Sequence, residues 1–216
     1  MVILSHTGGL AMTNCYLVAD ETAKVAVLFD APDNTVAPLL AEAKKRGWDV
    51  TGLWLTHGHF DHFADHAVLR EQFPNARVLI HPSDEPKVRH PEKQVRMFGL
   101  PLQIPPLSPD GHVADNQKLK LGSLDALVLH TPGHSSGHVM YYFPAEKLLI
   151  GGDLIIGGAV GRTDLPDSDQ ETLEASVRRI MSLPDDTRLL GGHGDATTLG
   201  LERANNYYVQ DALKRG

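Results

Sequence analysis

Cysteine is nearly missing from this chain: Cys15 is the only one in 216 residues. A single thiol excludes an internal disulfide and any cysteine-based zinc knot. It fits a reducing compartment, and the expected location is the cytoplasm. Basic charge is in deficit, with 20 Lys and Arg against 27 Asp and Glu and a formal net charge of −7. That balance argues against a nucleic-acid partner, because phosphate binding calls for a basic surface. No stretch approaches 18 apolar residues, and the N-terminus lacks a basic region followed by a long apolar run. Neither a membrane span nor a signal peptide is expected. What is present is ordinary for a globular protein, 42% hydrophobic and 22% charged residues, in a length that suits one domain with a sizeable core. Histidine is the exception. There are twelve, a surplus that metal ligation would explain.

Three of them fall in Thr56-His57-Gly58-His59-Phe60-Asp61-His62, directly after the apolar run Leu53-Trp54-Leu55. The run reads as a buried strand that delivers the polar residues to a loop. His57 and His59 are two apart, so in extended backbone both imidazoles leave the same side of the chain and can take one face of a tetrahedral ion. Asp61 and His62 are adjacent. The turn into a following helix can aim them at a second position a few ångströms away, the separation that two-metal sites use.

An HxHxDH segment behind an apolar strand resembles the signature of the metallo-β-lactamase superfamily. Further along, Thr131-Pro132-Gly133-His134-Ser135-Ser136-Gly137-His138 is similar to that family's second motif, and Gly151-Gly152-Asp153 and Gly191-Gly192-His193-Gly194 are similar to its later ones. By resemblance, His57, His59, His134 and Asp153 hold a first metal, and Asp61, His62, His193 and the shared Asp153 hold a second. Asp61 and Asp153 are the carboxylates assigned to catalysis. Asp30 supports the metal loop from behind, with a strand-end turn as the alternative. His138 and His130 are structural, and His66 is a surface or packing residue. The implied cofactor is a pair of divalent ions, zinc, with iron or manganese equally suited to such ligands.

The resemblance implies an α/β, four-layer αββα sandwich, one hydrolase domain over residues 1–216. Periodicity gives the elements independently. Asn14–Ala19 and Val25–Phe29 form an N-terminal hairpin. A helix covers Thr35–Arg46 and stops at Gly47, and a second covers Asp65–Phe73. Ser83–Asp110 reads as loops and short helices of the kind that cover a site, with Lys87, Arg89, Lys93 and Arg96 either meeting an anionic substrate or forming a solvated face. Strands follow at Lys118–Leu121, Leu124–His130, Val139–Phe143 and Lys147–Ile150. A helix over Ser168–Leu183 starts with a Ser168/Glu171 capping box. Leu189-Leu190 is the last strand, and one helix over Thr198–Arg215 closes the chain.

Gly161-Arg162-Thr163-Asp164-Leu165-Pro166, Met97-Phe98-Gly99 and the run Thr197-Thr198-Leu199-Gly200-Leu201-Glu202-Arg203 are similar to the short, single-domain bacterial type II glyoxalases. The resemblance implies hydrolysis of S-D-lactoylglutathione to D-lactate and glutathione by a metal-bridging hydroxide, a step in methylglyoxal detoxification, with a small glutathione thioester as the partner. The chain departs from that family in two places and from the two-domain glyoxalases in a third. Asp195 stands where proline is common, Asn205-Asn206-Tyr207 replaces an asparagine-proline, and Arg162-Thr163-Asp164 stands where two-domain glyoxalases carry a lysine-tyrosine element that holds glutathione. Arg162 is the candidate substrate contact, through a bidentate carboxylate bond; the alternative is a brace to Asp164 or Asp153. Asp153, in place of a cysteine, argues against antibiotic hydrolysis. Two other readings stay open: a mononuclear iron persulfide dioxygenase, which shares the GRTD element, and a metal-stabilised binding protein without turnover. Oligomeric state is not legible.

Overall fold

The computed structural model describes residues 1–215. Its contacts divide into two compact units, Met1–Val113 with Lys120–Leu124, and Ala114–Leu119 with the chain from Asp125 onward.

In the first unit six strands lie in chain order, β1 (Val2–Gly8), β2 (Thr13–Asp20), β3 (Val25–Phe29), β4 (Asp49–Trp54), β5 (Arg77–Ile80) and β6 (Gly111–His112). The first three are antiparallel, and β3 through β6 run parallel. Parallel neighbours need crossovers, and helices supply two of them: α1 (Val36–Arg46) between β3 and β4, and α2 (His66–Gln72) between β4 and β5. The α1 helix buries Val36, Leu39, Leu40 and Ala43, the stripe expected from a 3.6-residue period, and ends where Gly47 takes φ +69 and its amide closes onto Ala43 and Lys44. Those side chains join Leu17, Leu28, Leu53 and Val78 in one core. The expected hairpin is β2–β3. β1 was not expected; it pairs with β2 along its whole length, but its side chains are half-buried or exposed and carry no apolar alternation. Ser83–Asp110 contains α3 (Glu85–Arg89) and α4 (Pro91–Phe98), followed by irregular chain.

The second sheet has the order β12–β11–β10–β9–β8–β7, from β7 (Lys118–Leu121), β8 (Leu124–His130), β9 (Val139–Phe143), β10 (Leu148–Gly152), β11 (Arg188–Gly191) and β12 (Thr197–Thr198). Helices α5 (Gln170–Ile180), α6 (Leu199–Asn205) and α7 (Tyr207–Lys214) complete the second unit. Leu173, Val177 and Ile180 of α5 share a core with Leu149, Leu189 and Val209.

Three expectations are corrected here. The N-cap of α5 is Asp169, whose carboxylate accepts from the Thr172 amide, while Ser168 closes the preceding turn on Leu165. β11 is not the last strand, because Thr197–Thr198 pairs with it. The closing helix is two helices. Asn206 is extended, and its side-chain Oδ1 caps α7 by accepting from the amides of Tyr208 and Val209, so the chain breaks and restarts there. Among the described residues no helix is long and apolar enough to cross a membrane.

One carboxylate links the fold to pH. Asp20, at the end of β2, accepts hydrogen bonds from the Ser123 hydroxyl and amide and from the amides of Ala23 and Thr22. These donors, Ser123 first, hold its pKa well below the usual carboxylate range. A group depressed in the folded state contributes stability that is whole above the unfolded value of about 3.9 and is lost as pH falls through the folded one. Asp20→Asn is therefore expected to lower Tm most above about pH 5 and progressively less in more acid solution. A Tm difference independent of pH between 7 and 3 would contradict this.

Candidate metal centre

Both halves of the ligand set sit where strands end. In the first unit Asp30 follows β3 and Thr56 follows β4, so they lie beside each other at the carboxyl ends of neighbouring parallel strands, the edge where open α/β sheets place ligands. The Asp30 carboxylate accepts from the Thr56 amide and hydroxyl, both at 2.8 Å, and its Oδ2 lies 2.8 Å from His62 Nδ1. A carboxylate only accepts, so His62 carries its proton on Nδ1 and its lone pair on Nε2. Thr56 Oγ1 is spent as a donor to Asp30 and therefore accepts from His57 Nδ1, 3.0 Å away. This fixes Nε2 as the lone-pair nitrogen of His57 as well. His57 Nε2 and His59 Nδ1 are 3.0 Å apart, close to the roughly 3.3 Å edge of a tetrahedron with metal–nitrogen bonds of about 2.0–2.1 Å. Asp61 is oriented by Thr13, whose hydroxyl donates to its Oδ2 at 2.7 Å, and His62 Nε2 lies 3.5 Å from the same oxygen. The unit thus brings His57, His59, Asp61 and His62 together, with all three imidazoles buried.

In the second unit β8, β10 and β11 point the same way, since β9 is antiparallel to both of its neighbours and β11 is parallel to β10. Their carboxyl ends deliver His134, Asp153 and His193 to one edge. Asp153 Oδ2 lies 3.5 Å from His134 Nε2 and 3.2 Å from His193 Nε2. His134 Nδ1 donates to the Arg162 carbonyl at 2.9 Å, which presents Nε2 as its lone-pair nitrogen toward the carboxylate. His138 does what a structural histidine would do here. Its Nε2 accepts from the Asp153 amide at 2.9 Å, and its Nδ1 meets the Thr131 hydroxyl, so it fixes the backbone that carries Asp153. His130 Nε2 donates to the Ser136 carbonyl.

The donor chemistry fits divalent ions. Each unit offers imidazoles beside a carboxylate, buried except for the half-buried His193, and His57, His62 and His134 have defined tautomers; this mixed nitrogen and oxygen set suits zinc, iron or manganese and gives no basis for choosing among them. His66 stands outside the set. It is buried, its Nε2 donates to the Pro105 carbonyl, and burial holds its pKa below the ordinary value.

Several residues that shape these halves were given no such role by the motifs. Thr13 and Thr56 orient Asp61 and His57, and the Arg162 main chain orients His134. Gly161 must lack a side chain, because a Cβ there would lie 2.1 Å from the Asp153 carbonyl oxygen and 2.8 Å from His134 Nδ1. The Arg162 guanidinium, a candidate substrate contact, is exposed and bonded through two nitrogens to the Asp164 carboxylate. Of the two readings of that side chain, the observed contact is the brace to Asp164. Lys87 and Arg89 are likewise engaged, with Asp84 and Glu85.

The family model described as the metallo-beta-lactamase superfamily matches residues 8–193. The hydroxyacylglutathione hydrolase GloC of Haemophilus influenzae is 31% identical over 198 residues, covering 91% of this chain and 92% of its own. Among solved structures, TTHA1623 in a di-iron-bound form is 40% identical with a TM-score of 0.84, over 95% of this chain and 99% of that one. The BLEG-1 B3 metallo-beta-lactamase is 31% identical with a TM-score of 0.88, over 96% and 99% of the two chains.

Proposed function

The chain belongs to the metallo-beta-lactamase superfamily and has its fold, and from that premise we propose that it is a metal-dependent thioester hydrolase converting S-D-lactoylglutathione to D-lactate and glutathione. In this reading both units act as one domain. His57, His59 and His134 take one ion, Asp61, His62 and His193 take the other, and Asp153 is shared. The observation that carries it is the single Asp153 oxygen lying between the Nε2 atoms of His134 and His193, two histidines that the reading gives to different ions. A carboxylate suits that position because its charge offsets two cations. When bound, the ions supply an acidified water and a Lewis acid for the scissile carbonyl.

The chain's own residues then have a short task. Asp30, Thr56, Thr13 and the Arg162 carbonyl hold the tautomers and directions of the donors, so no reorganisation is needed at the moment of reaction. The leaving thiolate is a weak base, so no dedicated general acid is required. The likeness to the Haemophilus influenzae hydroxyacylglutathione hydrolase along nearly the whole of both chains supports the glutathione thioester as the substrate class. The Arg162–Asp164 pair leaves recognition of glutathione carboxylates to other groups.

The test is the fall in thioester absorbance when S-D-lactoylglutathione meets protein of known metal content. Turnover that follows metal content supports the reading. No turnover from fully metallated protein sinks it. Two further assays on the same sample then decide between its rivals: β-lactam hydrolysis, prompted by the BLEG-1 likeness, and oxygen uptake with glutathione persulfide, prompted by the Gly161-Arg162-Thr163-Asp164 element.

A further inference from the structure

The segment that follows β5 does more than lie over the metal loop. Thr56 to His59 belongs to no strand, so the peptide groups between His57 and Phe60 have no ladder to satisfy them, and buried backbone polar groups need partners. Side chains from far along the chain provide them. The carboxylate of Asp84, fully buried, accepts from the Gly58 amide at 2.8 Å. The carboxamide of Gln94 on α4, also buried, accepts from the Phe60 amide at 3.0 Å and donates to the Gly58 carbonyl at 2.9 Å. Three polar groups across three residues are thus held by two side chains 26 and 36 positions downstream. Asp84 is itself set by Lys87, whose ammonium lies 2.6 Å from its other oxygen. The fit leaves no slack, because a Cβ on Gly58 would lie 2.9 Å from the Asp84 carbonyl oxygen and 3.1 Å from the Cβ atoms of Asp84 and Lys87. Phe98, at the end of α4, packs against Phe60 with the rings tilted by 49° and their centroids 5.7 Å apart.

The geometry points to Asp84 and Gln94 as positioning residues for the metal ligands, a polar clamp that grips the peptide between His57 and His59 and fixes the spacing of the two imidazoles. The inference rests on the reading of those histidines as ligands of one ion. Their bonds are to the loop's backbone, so they act on the ion through the ligands. Gln94 is matched to its two partners: one end of the amide accepts and the other donates, and neither a carboxylate nor an apolar side chain can do both. Asp84 is matched to an amide on one side and an ammonium on the other.

The experiment uses the full chain loaded with zinc, and follows release of zinc to a coloured chelator, amide hydrogen exchange at Gly58 and Phe60, and Tm. In Gln94→Ala, zinc release is expected to be about 10- to 100-fold faster, the usual scale for losing support behind a ligand. The Phe60 amide should also lose protection. Gln94→Glu, which keeps the acceptor and loses the donor, should fall between the two. Asp84→Asn keeps an acceptor for the Gly58 amide and should restore most of what Asp84→Ala loses. Should Asp84→Ala fail to fold, Gln94→Ala and Gln94→Glu carry the test. Glu92→Ala, an exposed change on the same helix, should match the native protein. Native zinc release in Gln94→Ala, with native exchange at its Phe60 amide, would overturn the inference. If the native protein takes up none of zinc, iron and manganese, the proposed function falls, and the exchange rates alone decide whether the clamp holds the loop.

Discussion

Replacing Asp153 with alanine is expected to remove thioester hydrolysis almost completely, on the order of a thousandfold or more, and most of the bound metal with it. The physical reason is the position of one oxygen. Asp153 Oδ2 is within 3.5 Å of the Nε2 atoms of both His134 and His193, so in the proposed centre its loss strips a ligand from each ion at once. The charge matters as much as the contact: without the carboxylate, two cations would face each other across a buried space with one fewer anion between them. Asp153→Asn separates these effects. It preserves size and one acceptor oxygen, and should retain more metal than Asp153→Ala while still losing most of the rate. The variant's fold is not at stake in the same way, because the Asp153 amide keeps its bond to His138 Nε2 whatever the side chain. His66→Ala is the matching control. It removes a buried imidazole bonded only to the Pro105 carbonyl in the contacts described above, and it should leave metal content and rate unchanged while lowering Tm. Metal content measured by elemental analysis, with initial rates on the same samples, decides it. Normal metal and rate in Asp153→Ala would falsify the shared-carboxylate assignment.

How much of this was legible before any coordinates depends on how local each determinant is. The HxHxDH segment announces itself because its four polar side chains sit within six residues of one another, and extended backbone alone puts His57 and His59 on one side. The expected strands and the α1 stripe are likewise set by periodicity within a few residues. Asp30 was marked from its place after a strand, and its bonds to Thr56 and His62 accord with that. Legibility fails wherever the deciding partner is distant. Nothing near Asp84 or Gln94 marks them as acceptors for peptides 26 and 34 residues upstream. Ser168 reads as a cap because a hydroxyl stands three residues before a glutamate, yet the Leu165 turn takes that hydroxyl and leaves Asp169 to cap α5. The last helix breaks at Asn206 for a similar reason. Its buried side-chain amide is committed to Glu202 and to the Ala159 carbonyl, and its oxygen to the next turn, none of which shows in a helical run of residues. β1 escaped because an edge strand with little buried surface carries no alternation to read.

The second large effect is expected from a residue with no functional group. Gly161→Ala adds one methyl group, and the structure gives it nowhere to go: the ideal Cβ position lies 2.1 Å from the Asp153 carbonyl oxygen and 2.8 Å from His134 Nδ1. The first is main chain and cannot swing aside, so the loop carrying Gly161 and Arg162 must move. That motion lengthens the bond from His134 Nδ1 to the Arg162 carbonyl, the contact that holds the His134 tautomer with its lone pair on Nε2. Overpacking of this kind costs about 1–3 kcal/mol, which for a chain of this size is a fall in Tm of roughly 2–12 °C. The larger expected effect is on the proposed centre. A displaced loop loosens His134 and presses on the backbone of Asp153, so metal retention should fall by about 10- to 100-fold and the rate with it. Gly158→Ala is the comparison that isolates the cause. Gly158 lies in the same loop at φ +83 with no atom within 4 Å of an added Cβ, so that variant bears backbone strain but presses on no ligand. It should lose some Tm and keep its metal. If Gly161→Ala and Gly158→Ala lose stability alike and both hold metal as the native protein does, the close approach at Gly161 is a packing feature only, and the support of His134 has to be sought elsewhere.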